Sequence, residues 1–245
     1  MLNIVLPLAV PLLLGSFIAP QSPRLAPAPK AQDNKRPIAE VGEKAPQFEL
    51  KDQNGKMHTL ESYEGSIVIL EWFNDKCPVC KNVWDSGLIS KLVTESKNLC
   101  QNLDKPAYPP VVYLAINSSA NRPLEEVLKS GAEFIEEAEV KIPMLMDYEG
   151  KIGKAYGART TPHMFVIDAD GVLVYQGALS DDRRGKDGKD ADTHVMRAIH
   201  QLVKGEKVSP SYVQPWGCSV KYSRANDESS DRRRQPRGPR RGPGR

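Results

Sequence analysis

Ser66-Ile67-Val68-Ile69-Leu70-Glu71-Trp72-Phe73-Asn74-Asp75-Lys76-Cys77-Pro78-Val79-Cys80 is the stretch on which the reading of this chain turns. Its first half is an apolar run interrupted only by Glu71, the mark of a buried strand. Its second half places two cysteines two residues apart where the strand opens into a helix. At a helix start the first thiol meets unpaired backbone N–H groups and the positive end of the helix dipole, which favour thiolate over thiol. The second thiol lies one turn on, within reach to close a disulfide. Pro78 suits the first helical turn. The pattern therefore points to reversible disulfide chemistry.

Cysteine count supports that choice over the alternatives. Cys77, Cys80, Cys100 and Cys218 are too few and too unevenly spaced for a disulfide scaffold. A structural zinc site needs four ligands, commonly as two close pairs, and neither a second cysteine pair nor His58, His163, His194 and His200 supplies one. No metal and no cofactor is expected.

Working outward, the chain divides by composition. Of its 245 residues 40% are hydrophobic and 27% charged, enough for a sizeable core. Residues 1–19 carry an apolar run from Ile4 to Leu14, the length of a secretory signal core and short for a spanning helix. They are read as a signal peptide or anchor, which predicts an exported, periplasmic or membrane-anchored protein. Residues 20–37, rich in Pro and Ala, read as a linker. Residues 38–222 make one α/β domain, and 223–245 an Arg/Gly/Pro-rich tail with too little apolar surface to fold alone. The net charge of +3 is unevenly spread: eight arginines against three acidic residues from Arg224 onward leave the remainder at −2. Such a tail attracts anionic surfaces electrostatically, and export would make nucleic acid an unlikely partner.

Within the domain, Phe48-Glu49-Leu50, the Asn54-Gly55 turn pair and Met57 to Leu60 predict a β-hairpin. One helix is expected over about 79–99, with Val83, Trp84, Leu88, Leu92 and Val93 on its apolar face. Val111 to Ile116 is a second central strand. Residues 124–138 are helical, with Gly131 dividing them into two short helices or bending one. A third core strand follows at Ile142 to Met146, then a short helix from Ile152 to Tyr156 ended by Gly157. Two strands, Met164–Ile167 and Val172–Tyr175, flank the Asp170-Gly171 turn, and a last helix spans Thr193 to Val203. The aromatic, turn-rich segment from Pro210 to Tyr222 is too apolar to be free and is expected to pack on the domain. The order predicts a mixed sheet flanked by helices with an N-terminal hairpin extension.

Three matches in this order, Trp72-Phe73 followed by Cys77-Pro78-Val79-Cys80, Thr161-Pro162 directly before a strand, and the Asp168-Ala169-Asp170-Gly171 turn after it, carry a resemblance. The region from Val41 to about Val203 resembles the thioredoxin-like superfamily, in its redoxin or alkyl hydroperoxide reductase/thiol-specific antioxidant branch with its exported disulfide-reductase relatives. The resemblance implies a thioredoxin-like fold and a thiol–disulfide oxidoreductase acting on protein thiols and disulfides, with an unidentified electron donor or acceptor. It makes Cys77 the nucleophile and Cys80 the resolving thiol. Glu71 stands where thioredoxins carry a buried proton-relaying Asp; otherwise it is a solvated edge residue. A cis Thr161–Pro162 bond would hold the Thr161 backbone open to a substrate strand. His163 either faces solvent or caps the strand, or it tunes the thiolate, and Lys76 either assists Cys77 as a cation or is solvated.

The alternative activity is a thiol peroxidase, with Cys77 oxidised by peroxide and Cys80 or Cys218 resolving it. Peroxidases of this branch carry Pro-x-x-x-Thr-x-x-Cys; here Phe73, Leu70 and Asn74 stand upstream of Cys77, with neither Pro nor Thr at the matching places. Cys218, in Gly217-Cys218-Ser219-Val220-Lys221-Tyr222, is left as a third redox thiol, a structural partner for Cys100 or a buried free cysteine.

Overall fold

The structure is a computed structural model and describes residues 38–101, 109–138, 140–183 and 185–223, without the side chains of Cys100 and Gln101. The signal or anchor over 1–19, the linker over 20–37 and the tail from Arg224 lie outside the described residues.

In chain order the elements are β1 (Glu49–Lys51), β2 (Met57–Thr59), β3 (Ile67–Trp72), α1 (Pro78–Asp85), α2 (Leu88–Gln101), β4 (Val111–Asn117), α3 (Leu124–Glu137) and β5 (Met144–Met146). There follow α4 (Lys151–Tyr156), β6 (Thr160–Thr161), β7 (His163–Ile167), β8 (Leu173–Gly177), α5 (His194–Val203), β9 (Tyr212–Val213) and β10 (Cys218–Ser219). A six-stranded sheet runs β5-β4-β3-β7-β8-β9, parallel between β3 and β4 and antiparallel between β3 and β7. β1 and β2 form the N-terminal hairpin, and β10 pairs with β6. This is the thioredoxin-like arrangement that the motifs imply.

β3 is buried along its whole length because both sheet faces are covered. Ile67, Ile69 and Phe73 face a core shared with Val83 and Trp84 of α1, Leu88, Ile89 and Leu92 of α2, Ile135 of α3, and Val195 and Ile199 of α5. Val68, Leu70 and Trp72 face the opposite core with Tyr156 of α4, Phe165 and the hairpin residues Phe48 and Leu60. The period-two alternation thus sends Glu71 to the same face as α1.

Three local expectations need correction. The single helix over 79–99 is two, because Gly87 adopts φ +80°, a left-handed conformation that ends α1. Gly131 does not interrupt α3, which is continuous from Leu124 to Glu137. It makes room: a Cβ there would lie 2.5 Å from Met144 Sδ, so a side chain at this position would force the end of Met144 to move. The third strand is shorter than its apolar run and lies at the sheet edge, where Gln53 Oε1 accepts from Met144 N at 2.7 Å. The segment from Pro210 to Tyr222 does pack on the domain, through β9 on β8 and β10 on β6.

Candidate active site

Cys77 is the N-cap of α1, extended at φ −81° and ψ 117°, and Pro78 opens the helix. Its sulfur sits at the positive end of that helix, as the spacing predicts. The loop before it is pinned: Lys76 N donates to Asn74 Oδ1 at 2.8 Å, and buried Asp75 accepts from Arg122 Nη2 and Ser130 Oγ, each at 2.7 Å. Lys76 itself is 61% exposed and pairs with Asp75 at 3.5 Å, so of its two readings the solvated one holds.

Cys77 is only 2% exposed. Its Sγ lies 3.2 Å from the carbonyl oxygen of Thr161, to which the thiol donates. The Cys80 thiol hydrogen-bonds to the Cys77 sulfur and favours its thiolate; burial opposes, and the Cys218 thiol adds a second bond that helps. Together these push Cys77 down to about 4. Cys80 moves the other way, because burial, its bond to Cys77 and the nearby charge of Glu71 all disfavour its thiolate. The two thiols are thereby differentiated, one acidic and one held protonated.

Glu71 is fully buried beneath this pair, not a solvated edge residue. Burial raises its carboxyl from an ordinary 4.5 to about 7, even though both oxygens are satisfied. Trp84 Nε1 donates to Oε1 at 3.0 Å and Tyr113 Oη to Oε2 at 2.7 Å. A carboxyl poised near neutrality beside a protonated thiol can exchange a proton with it. Trp84 and Tyr113 read in the sequence only as core positions. The available signal was that both are apolar bodies with a polar tip, which needs a partner when buried.

Thr161 and Pro162 stand beside Cys77, and the bond between them is cis. The Thr161 backbone is not open: it pairs antiparallel with Cys218. Cys218 is a free thiol against Cys77, while the Cys100 side chain lies outside the described residues. His163 does not face solvent. It is buried on the other face of the sheet with its ring 4.5 Å from Phe165, and burial, with the charge of Arg159, lowers it to about 3. A histidine held neutral across the sheet does not tune the thiolate.

A family model described as AhpC/TSA matches residues 41–176, a span holding Glu71, Cys77, Cys80, Thr161 and Pro162 but not Cys218. Among curated proteins, the thiol-disulfide oxidoreductase ResA of Bacillus thuringiensis subsp. konkukian is 25% identical over 137 residues, 56% of this chain and 69% of its own. ResA of Halalkalibacterium halodurans is 28% identical over 148 residues, 60% of this chain and 74% of its own. A solved structure of a hypothetical protein from Sinorhizobium meliloti superposes with a TM-score of 0.64 at 25% identity, covering 76% of this chain and 96% of that one. An uncharacterized conserved protein from Geobacillus kaustophilus gives the same TM-score and identity over 76% and 94% of the two chains.

Proposed function

The chain belongs to the AhpC/TSA family, and on that footing we propose that it is a thiol–disulfide oxidoreductase that exchanges disulfides with protein thiols through Cys77 and Cys80. One observation carries the reading: Cys77 at the start of α1 and Cys80 one turn on stand over the buried Glu71 carboxyl, in surroundings that favour the Cys77 thiolate and disfavour that of Cys80. The ResA relatives support the same class of chemistry.

In the reducing direction the Cys77 thiolate attacks one sulfur of a substrate disulfide, forming a mixed disulfide and releasing the other sulfur as thiolate. Glu71, as carboxylate, takes the Cys80 proton. The Cys80 thiolate then attacks Cys77 Sγ, the Cys77–Cys80 bond forms, and the second substrate sulfur departs. Run backward, the same steps oxidise a dithiol. A substrate strand would lie along Thr161 and Pro162 in the place that β10 occupies. Reduction of insulin disulfides with dithiothreitol as electron donor tests this: wild type accelerates it and Cys77→Ser does not. Equal rates in the two would end the proposal.

The second reading is a thiol peroxidase, favoured by the family match and by the acidic Cys77. The lack of Pro and Thr upstream of Cys77 weighs against it. Stopped-flow consumption of hydrogen peroxide by the reduced protein separates the two, since disulfide exchange alone predicts a rate no better than that of a free thiol. Action outside the cytoplasm is part of the proposal and rests on the apolar run from Ile4 to Leu14. Fractionation of cells expressing the full chain would test it.

A further inference from the structure

The exchange chemistry leaves the C-terminal segment unused, yet that segment touches the nucleophile. β10 lies antiparallel on β6, with Cys218 opposite Thr161 and Ser219 opposite Thr160. Thr161 Oγ1 donates to the Cys218 carbonyl at 3.4 Å, while the Thr161 carbonyl meets Cys77 Sγ at 3.2 Å. The Cys218 thiol is itself hydrogen-bonded to the Cys77 sulfur.

The approach is built into the sequence around it. Gly217 adopts φ +137°, and a Cβ there would lie 2.2 Å from the Thr161 carbonyl oxygen, so the chain passes Thr161 at a distance only glycine allows. On either side the segment is anchored. Trp216 Nε1 donates to Ser180 O at 2.8 Å, Val220 N to Arg159 O at 3.1 Å and Tyr222 Oη to Ala158 O at 2.9 Å. The outcome is a nucleophile 2% exposed, although its proposed substrate is a disulfide in another protein.

We infer that β10 is an internal occupant of the substrate edge and that Cys218 is a third exchanging thiol, forming a disulfide with Cys77. The inference rests on the reading of Cys77 and Cys80 as the exchanging pair. Starting from the Cys77–Cys80 disulfide, the Cys218 thiolate attacks Cys77 Sγ. The Cys77–Cys218 bond forms, the Cys77–Cys80 bond breaks, and the electron pair leaves on the Cys80 sulfur, which takes up the proton that Cys218 gave. One disulfide replaces another, so neither oxidant nor reductant is consumed. A protein substrate then competes with β10 for the Thr161 edge, and the segment limits which disulfides reach Cys77.

The test is peptide mapping of full-length Cys80→Ser after dilute oxidation with diamide and alkylation. Most chains are expected to carry an intramolecular Cys77–Cys218 disulfide. Free Cys77, or Cys77 linked only between two chains, overturns the inference. A second variant, Cys80→Ser with Gly217→Val, keeps Cys77 and Cys218 but pushes β10 off Thr161. Closure of the cross-link should slow at least about tenfold, with the thermal midpoint checked against its parent; an unchanged rate also overturns it. Insulin reduction by wild type separates the two claims. Reduction without the cross-link removes only the role of Cys218, and a cross-link without reduction removes only the reading of protein disulfides as substrates.

Discussion

Replacing Glu71 with glutamine should make the protein more stable at neutral pH while slowing its chemistry. Glutamine is nearly isosteric, and its amide can meet both neighbours: the oxygen accepts from Trp84 Nε1 as Glu71 does at 3.0 Å, and the amide nitrogen donates to Tyr113 Oη, 2.7 Å from Oε2 in the wild type. What changes is the titration. Glu71 is raised by burial from 4.5 to about 7, so between those values the folded protein binds a proton that the unfolded chain has lost. Stability conferred by the protonated carboxyl is therefore complete below about 4.5 and is lost as pH rises through about 7. At about 1.4 kcal/mol per pH unit, the penalty at pH 8 amounts to about 3 kcal/mol. Guanidinium chloride unfolding of both reduced proteins from about pH 4 to pH 8 reads this directly. The difference between variant and wild type should move in favour of Glu71→Gln by about 3 kcal/mol, mostly between pH 4.5 and 7, and then level off. Two curves that stay parallel over the range would refute a buried, titrating Glu71. Over the same range, resolution of a Cys77 mixed disulfide near neutral pH should slow by about a hundredfold, the low end of what a positioned base supplies.

Other perturbations read the same site from different sides. Tyr113→Phe removes a hydrogen bond that lowers the Glu71 carboxyl, so the pH midpoint of mixed-disulfide resolution should move upward, as quenched-flow measurements across pH would show. Ultraviolet titration of the Cys77 thiolate should give a midpoint near 4, and Cys218→Ala should raise it by removing one donor; a midpoint near that of free cysteine would contradict both. Arg122→Ala leaves the buried Asp75 without the partner 2.7 Å away and should destabilise the reduced protein by about 3 kcal/mol in denaturant unfolding.

Much of the frame was legible because its signals are local. An apolar run around Glu71, two cysteines at a strand-to-helix junction and Thr161-Pro162 before a strand depend on nearest neighbours and period-two alternation. What escaped depends on distance. Gly87 and Gly131 look alike in a helical pattern, yet one ends a helix through its left-handed φ and the other makes room for Met144, a residue remote in sequence. His163, polar and next to Pro162, gave no sign that it packs on Phe165 in the core. Tyr113 and Trp84 lie 42 and 13 residues from Glu71, and only the sheet and α1 together bring their tips to its carboxylate. Cys218 stands out in its Gly-Cys-Ser segment, but its place opposite Thr161 follows from a close approach at Gly217 that no local pattern encodes.

The central claim is that Cys77 attacks a protein disulfide and Cys80 resolves the product. The most direct measurement is mass spectrometry of the adduct formed when the Cys80→Ser, Cys218→Ser double variant, with both intramolecular rivals removed, is mixed with insulin. The account predicts a stable disulfide between Cys77 and an insulin chain, absent when Cys77→Ser is added. No adduct, or one carried by Cys100 instead, would contradict it.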